Sequence, residues 1–187
     1  MPLRGQCAFL ATSILLTGRL SCAAFVGLQL RVASTILLHL GCSPCYDESL
    51  QSQTTTANIT SCSGPYLFVG VECLESASFV IGAYAPAKEI LSLTALNDPY
   101  LYNGVYWYYS AGRYLGFSDA ADLDPLLADG FSSMSSDHQM LWSLDESSTL
   151  HSVINDKSWK LRKAIYCCPE GTLIFCYTFN STTEHTS

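Results

Sequence analysis

From Tyr66 onward the chain is a series of short apolar runs cut by turn residues. β-Branched and aromatic side chains gather in residues 66–71, 79–84, 90–96, 101–109, 114–117, 140–144, 159–166 and 173–179. Strands this short, at this spacing, predict an antiparallel sandwich- or barrel-like module, mostly β. Within Leu101-Tyr102-Asn103-Gly104-Val105-Tyr106, the Asn-Gly pair between apolar flanks predicts a type I′ hairpin turn, because both central residues must take positive φ. In Trp159-Lys160-Leu161-Arg162 the alternation is strict, which predicts Trp159 and Leu161 toward the core and Lys160 and Arg162 toward water. One short helix is expected over residues 118–128, with Ser118 as its cap and Asp119 and Asp122 in its first turn.

Before Tyr66 the pattern is different. Residues 42–62 run from Cys42-Ser-Pro-Cys45 through a Ser-, Thr- and Gln-rich stretch to Cys62 with no hydrophobic period, and predict a loop held by cysteines. Residues 7–16 are apolar and of signal-peptide length, and Ser21-Cys22-Ala23 offers the small residues that signal peptidase reads. Residues 24–40 are again apolar, interrupted by Gln29, Arg31 and His39. The expected organisation is an N-terminal apolar targeting helix, signal peptide or signal anchor, over 1–41, a cysteine-rich loop over 42–62, the β module over 63–168, and a cysteine-rich tail over 169–187. A mitochondrial presequence would share the arginines and lack of acids. Nine cysteines and two Asn-X-Thr acceptors, at Asn58 and Asn180, favour secretory entry instead.

Charge narrows the partners. All sixteen acidic residues lie from Asp47 onward with six of the nine basic ones, a formal −10 for that part. Such a surface repels phosphate backbones and anionic lipid, so nucleic acid is not an expected partner.

The cysteines of the expected mature part are Cys42, Cys45, Cys62, Cys73, Cys167, Cys168 and Cys176, an odd number. The spacing from Cys62 to Cys73 is too wide for a zinc knuckle, and disulfides are the expected state, with no metal and no cofactor. Cys42 or Cys45 is expected to pair with Cys62, and Cys73 with Cys167 or Cys168. Cys167 and Cys168 are adjacent in a strand, so they face opposite sides and take different partners. Cys42-Ser-Pro-Cys45 with Thr54-Thr-Thr-Ala-Asn-Ile-Thr-Ser-Cys62, and again Cys168-Pro-Glu-Gly-Thr172, resembles the ephrin-receptor-like cysteine-rich repeats. Tyr46 stands where that pattern has a turn residue. The resemblance implies an extracellular, modular, non-enzymatic protein.

Candidate chemistry is sparse. The sequence has no nucleophile elbow, no His-Glu-X-X-His and no phosphate-cradling glycine loop. Asp119, Asp122, Asp124 and Asp129 offer oxygen ligands without the EF-hand order and read as solvated acids. Six aromatics crowd into residues 100–109, and a tyrosine face beside Asp suits a sugar or protein partner. Tyr106, Tyr108 and Asp137 are the expected ligand-binding residues, with Trp107 packed inside. The sequence thus points to a secreted or cell-surface recognition or adhesion module. Its rivals are a secreted hydrolase using Asp137 or Asp145, and a structural protein anchored in the membrane by residues 7–40.

Overall fold

The computed structural model describes residues 21–23, 27–95, 97–123, 130–134, 137–145, 160–170 and 175–177. The strands are β1 (Ser21–Ala23), β2 (Val32–Ala33), β3 (Ser43–Ser49), β4 (Tyr66–Cys73), β5 (Ser78–Pro86), β6 (Tyr100–Tyr102), β7 (Val105–Ser110), β8 (Tyr114–Ser118), β9 (Gly130–Met134), β10 (Asp137–Ser143), β11 (Leu161–Cys168) and β12 (Phe175–Tyr177). Three short helices join them: α1 (Ser34–His39), α2 (Thr56–Thr60) and α3 (Ala87–Leu91). The expected antiparallel, mostly β architecture is what the chain forms. One five-stranded sheet runs β2-β5-β4-β11-β3, a second runs β6-β7-β8-β10-β9, and every pairing in both is antiparallel. β1 pairs with β12, setting Cys22 opposite Cys176.

β4 lies at the middle of its sheet, and its nearly unbroken apolar run follows from burial on both sides. Leu67, Val69 and Val71 point into one core, which they share with Val105, Trp107, Tyr109, Leu115, Phe117, Met140 and Trp142 of the other sheet. Phe68 points the other way, into a second cluster with Phe79, Tyr84, Ala164, Tyr166 and Leu37 of α1. Leu37 is fully buried there. The fold therefore begins before the boundary expected at residue 41. Gln29 bridges to Gly82, Val32 and Ala33 pair with Phe79 and Ser78, and Ser34 Oγ donates to the Ala77 carbonyl at 3.0 Å. Leu28, Val32, Ile36, Leu37 and Leu40 pack in or against the two clusters, while Leu30 and Leu38 are exposed. Of the targeting segment expected over 1–41, residues 1–20 and 24–26 lie outside the described residues. Among the described residues no helix is long and apolar enough to cross a membrane.

Three further expectations are corrected. Residues 42–62 are not one loop: β3 occupies the edge of the first sheet, and α2 follows, capped by Thr55. Tyr46 and Leu50 supply its buried contacts, and strands at a sheet edge need few others. The strand expected over 90–96 is replaced at its start by α3, which opens immediately after Pro86 and buries Ile90. A proline's fixed φ and missing N–H suit the entry to a helix, where no backbone partner is lost. Finally, Ser118 ends β8 rather than capping a helix, and residues 119–121 are bends. Its Oγ accepts from Ala120 N (3.2 Å) and donates to the Asp122 carbonyl (3.3 Å), so the hydroxyl closes a local turn in place of a helical one. Residues 124–128 of that expected helix lie outside the described residues.

Candidate functional site

The aromatic run divides three ways. Asn103 (φ 52°) and Gly104 (φ 77°) form the expected two-residue turn, with Tyr102 opposite Val105 across it. β7 then alternates. Val105, Trp107 and Tyr109 enter the shared core, and Trp107 lies 5.3 Å from Phe117, ring to ring. Tyr106 and Tyr108 face outward. Tyr106 is half-buried, but Tyr108, expected at a ligand surface, is 2% exposed. The chain after β8 folds back over it: Leu123 and Leu141 cover the ring, and its hydroxyl lies 3.5 Å from the Ala120 carbonyl. Tyr108 is therefore a packing residue. Asp137, the third expected ligand residue, opens β10 with its backbone opposite Met134, a register that does not bring it beside Tyr106.

The third part of the run makes a surface. Tyr100 and Tyr102 stack on each other, 6.1 Å between centroids and 18° between planes, on the edge strand β6. Tyr66, at the start of β4, lies near enough to Tyr102 to bear on its hydroxyl, and Tyr66 stacks on Tyr84 at 4.9 Å. Tyr102 packs against both hydrophobic clusters, so this is where the two meet. Tyr66, Tyr100 and Tyr102 are half-buried, and Tyr84 is covered. Burial pushes the Tyr100 and Tyr102 hydroxyls up from the usual tyrosine value. The Glu89 carboxylate adds to this at Tyr100, and Tyr66 does so at both. The phenols thus stay protonated at neutral pH and can donate as well as accept. Flat apolar rings edged with hydroxyls can stack on a sugar ring or take a protein side chain. Tyr66 and Tyr84 were missed in the sequence because they belong to strands remote from the aromatic run. A tyrosine opening or closing a strand carries no local signal of its cross-sheet neighbour.

Elsewhere on the second sheet, Asp119 grips His138. His138 Nδ1 is 2.8 Å from Asp119 Oδ2, His138 N donates to Asp119 Oδ1 at 3.3 Å, and Asp119 N donates to the His138 carbonyl at 3.0 Å. A carboxylate orienting an imidazole is part of the hydrolase arrangement. Of the two acids that a hydrolase was expected to use, Asp145 is exposed and its carbonyl accepts from Gln53 Nε2 at 3.3 Å.

The cysteines cluster at one end of the β3–β11 pair. Cys45 is bonded to Cys62, and Cys42 to Cys168. The expected bridge from Cys73 to Cys167 or Cys168 does not form. Cys73 stands opposite Leu161, at the far end of β11 from Cys168, which stands opposite Tyr66. Seven residues of strand separate the two ends, about 23 Å. Cys168 points to the outer cluster and reaches Cys42. Cys167 keeps its thiol and points to the inner side, where its Sγ and those of Cys45 and Cys62 all lie within 4.8 Å of one another. Three thiolates so placed could hold zinc, but the bridged Cys45 and Cys62 have no thiolate to offer. Disulfides form and persist in oxidising compartments, which suits these bridges.

Asn58 lies in α2, half-exposed, and completes a capping box. Its Oδ1 accepts from Thr55 N at 2.8 Å and from Thr55 Oγ1 at 2.7 Å, while Asn58 N donates to Thr55 Oγ1 at 3.3 Å. Asn180 lies outside the described residues, and of Cys176 only its backbone in β12 is described.

No protein-family model, no curated protein and no solved structure matches the chain.

Proposed function

We propose that the chain is a non-catalytic recognition or adhesion module, a disulfide-stapled β-sandwich of a secreted or cell-surface protein, and that its partner is an extracellular glycan or protein. The observation that carries this reading is the half-exposed tyrosine surface of Tyr66, Tyr100 and Tyr102. Two phenols of the edge strand β6 and one from the start of β4 come together there, each partly open to solvent. Tyr106, opposite Leu101, lies on the other face of the second sheet from Tyr100 and Tyr102, and Tyr108 is packing on that face.

Other features support the same reading. Two disulfides suit an oxidising compartment. The acidic balance disfavours nucleic acid, and the resemblance of 42–62 to ephrin-receptor-like repeats implies an extracellular modular protein. N-glycosylation at Asn58 fits its place: a glycan on Nδ2 leaves Oδ1 to keep the capping box.

The test is to express the chain through the secretory pathway, label it, and measure binding to intact cells and to an array of glycans. The reading expects saturable binding to cells or to a glycan class, and no hydrolytic activity. Ester or glycoside hydrolysis abolished by His138→Ala would contradict it.

A further inference from the structure

We propose that the sulfur cluster is an exchange site, in which the Cys167 thiol trades places with Cys62 so that Cys45 is bridged to either one. The inference is independent of the tyrosine surface. It rests on three sulfurs mutually within 4.8 Å, one of them a thiol and the other two a disulfide.

The step needs no oxidant or reductant. Cys167, as its thiolate, attacks Cys45 Sγ along the axis of the Cys45–Cys62 bond. A Cys167–Cys45 bond forms, the Cys45–Cys62 bond breaks, and Cys62 leaves as a thiolate that takes up the proton Cys167 gave to water. One disulfide and one thiol become one disulfide and one thiol.

Sheet geometry selects Cys45 over Cys62 as the sulfur attacked. Pro44 stands opposite Tyr166 and Tyr46 opposite Ile165, with an irregularity between them, so Cys45 is the extra residue of a bulge. Cys167 is one residue further along the neighbouring strand. Strands pair about 4.8 Å apart, and Cys45, falling between the positions of Ile165 and Tyr166, is offset from Cys167 by roughly 5 Å along them, so a Cys45–Cys167 bridge joins backbones about 7 Å apart, at the outer edge of disulfide reach. Cys62 is different. It ends the segment carrying α2, outside the sheet, and reaches Cys45 across a sequence separation of 17.

The turn after Cys62 is shaped to the thiol. A Cβ on Gly64 would come 2.9 Å from Cys167 Cβ, so glycine is what lets the loop close over this cysteine. A backbone hydrogen bond from Ser63 favours the Cys167 thiolate, while burial, the larger influence, pushes the thiol up. The resting cluster therefore holds Cys167 as thiol, with Cys45–Cys62 closed. Exchange would untie α2 from the sheet at its sulfur anchor, leaving it held by Ile59 in the core and by the Tyr46–Thr54 hydrogen bond at 3.0 Å.

The test is peptide mapping of the secreted full chain, trapped with N-ethylmaleimide in acid and digested without reduction, after incubation in glutathione buffers of several oxidised-to-reduced ratios. Two peptide sets are expected: Cys45–Cys62 with Cys167 alkylated, and Cys45–Cys167 with Cys62 alkylated. Their ratio should stay constant across the buffers, because the interchange moves no net electrons. Cys62→Ser should convert all of Cys45 to the Cys45–Cys167 bridge, and Cys167→Ser should abolish the second set. If Cys45–Cys62 is the only bridge of Cys45 in every buffer, the proposal fails whether or not Cys62→Ser folds. Stoichiometric zinc bound to the reduced protein and shielding all three thiols from alkylation would also overturn it, by making the cluster a metal site.

Discussion

Tyr66 lies flat on Tyr84, with ring centroids 4.9 Å apart and planes 4° from parallel. The two come from neighbouring antiparallel strands, β4 and β5, where Tyr66 stands opposite Pro86 and Tyr84 opposite Phe68. The pair is a diagonal cross-strand contact of the kind that long aromatic side chains can span. Its outer member neighbours Tyr102, so the stack adjoins the β6 tyrosines.

The burial of β7 makes its substitutions unequal. Trp107→Ala removes a fully buried indole from the core between the sheets and should cost about 3–5 kcal/mol. Tyr108→Ala opens a cavity beneath Leu123 and Leu141 and should cost about 2–4 kcal/mol. Tyr106→Ala, at a half-buried position, should cost about 1 kcal/mol or less. Urea titrations of the three variants check the order.

The two disulfides among the described residues close loops of different length. By chain-entropy reasoning Cys42–Cys168, spanning 126 residues, should contribute about 5 kcal/mol, and Cys45–Cys62, spanning 17, about 3 kcal/mol. The Cys42→Ser, Cys168→Ser double variant should therefore melt below a Cys45→Ser variant, which can form neither of the bridges open to Cys45. Calorimetry of the two variants orders them.

Tyr166 sets an alkaline limit. Burial pushes its hydroxyl up to about 12, with the Glu72 and Asp47 carboxylates adding to the effect and a hydrogen bond with Ser34 opposing it. An unfolded tyrosine ionises near 10. The folded state thus retains a proton that the unfolded state loses. Its contribution to stability is complete below pH 10 and falls away as pH rises from about 10 to 12, at roughly 1.4 kcal/mol per pH unit for each proton retained. Denaturation midpoints between pH 9 and 12 should fall accordingly, and Tyr166→Phe should flatten part of that decline.

The packing of 27–40 bears on processing. Leu37 is fully buried and Gln29 is bonded both ways to Gly82, with N···O distances of 2.7 and 2.9 Å. Cleavage after Ala23 would keep these contacts, whereas cleavage beyond Val32 would strip the edge of the first sheet. N-terminal sequencing of the secreted protein should start upstream of Gln29, and Leu37→Ala should cost about 2–5 kcal/mol.

The local signals were legible because they are local. Asn103-Gly104 specifies its turn by the positive φ it tolerates, and the β4, β5, β7 and β8 runs are strands by residue type. What could not be read was pairing across the chain. β11 inserts between β4 and β3, and that insertion carries Cys168 to Cys42 and leaves Cys73 at the opposite end. Of the alternation expected at 159–162, Trp159 lies outside the described residues, Leu161 packs against the core, and Lys160 and Arg162 are half-buried and paired with Glu75 and with Asp47, where Nε and Oδ1 are 2.6 Å apart. Alternation also puts Lys163 on the core face with Ile165, a position composition would deny a lysine. The side chain is fully buried and its Nζ donates to the Ser52 carbonyl at 2.8 Å. Tyr100 and Tyr102 belong to the aromatic run of the sequence, but ligand binding was expected at Tyr106, Tyr108 and Asp137, while Tyr66 and Tyr84 arrive only through the fold.

The central claim is that the edge tyrosines bind. Its direct test is equilibrium binding of the labelled module to the cells or glycans it recognises, comparing wild type with Tyr100→Ala, a half-buried ring at the margin of the core on the edge strand. A hot-spot aromatic is worth about 2 kcal/mol or more, so affinity should fall roughly 30-fold or further while the melting temperature stays within a few degrees of wild type. Unchanged affinity in a variant that melts like wild type would contradict the account.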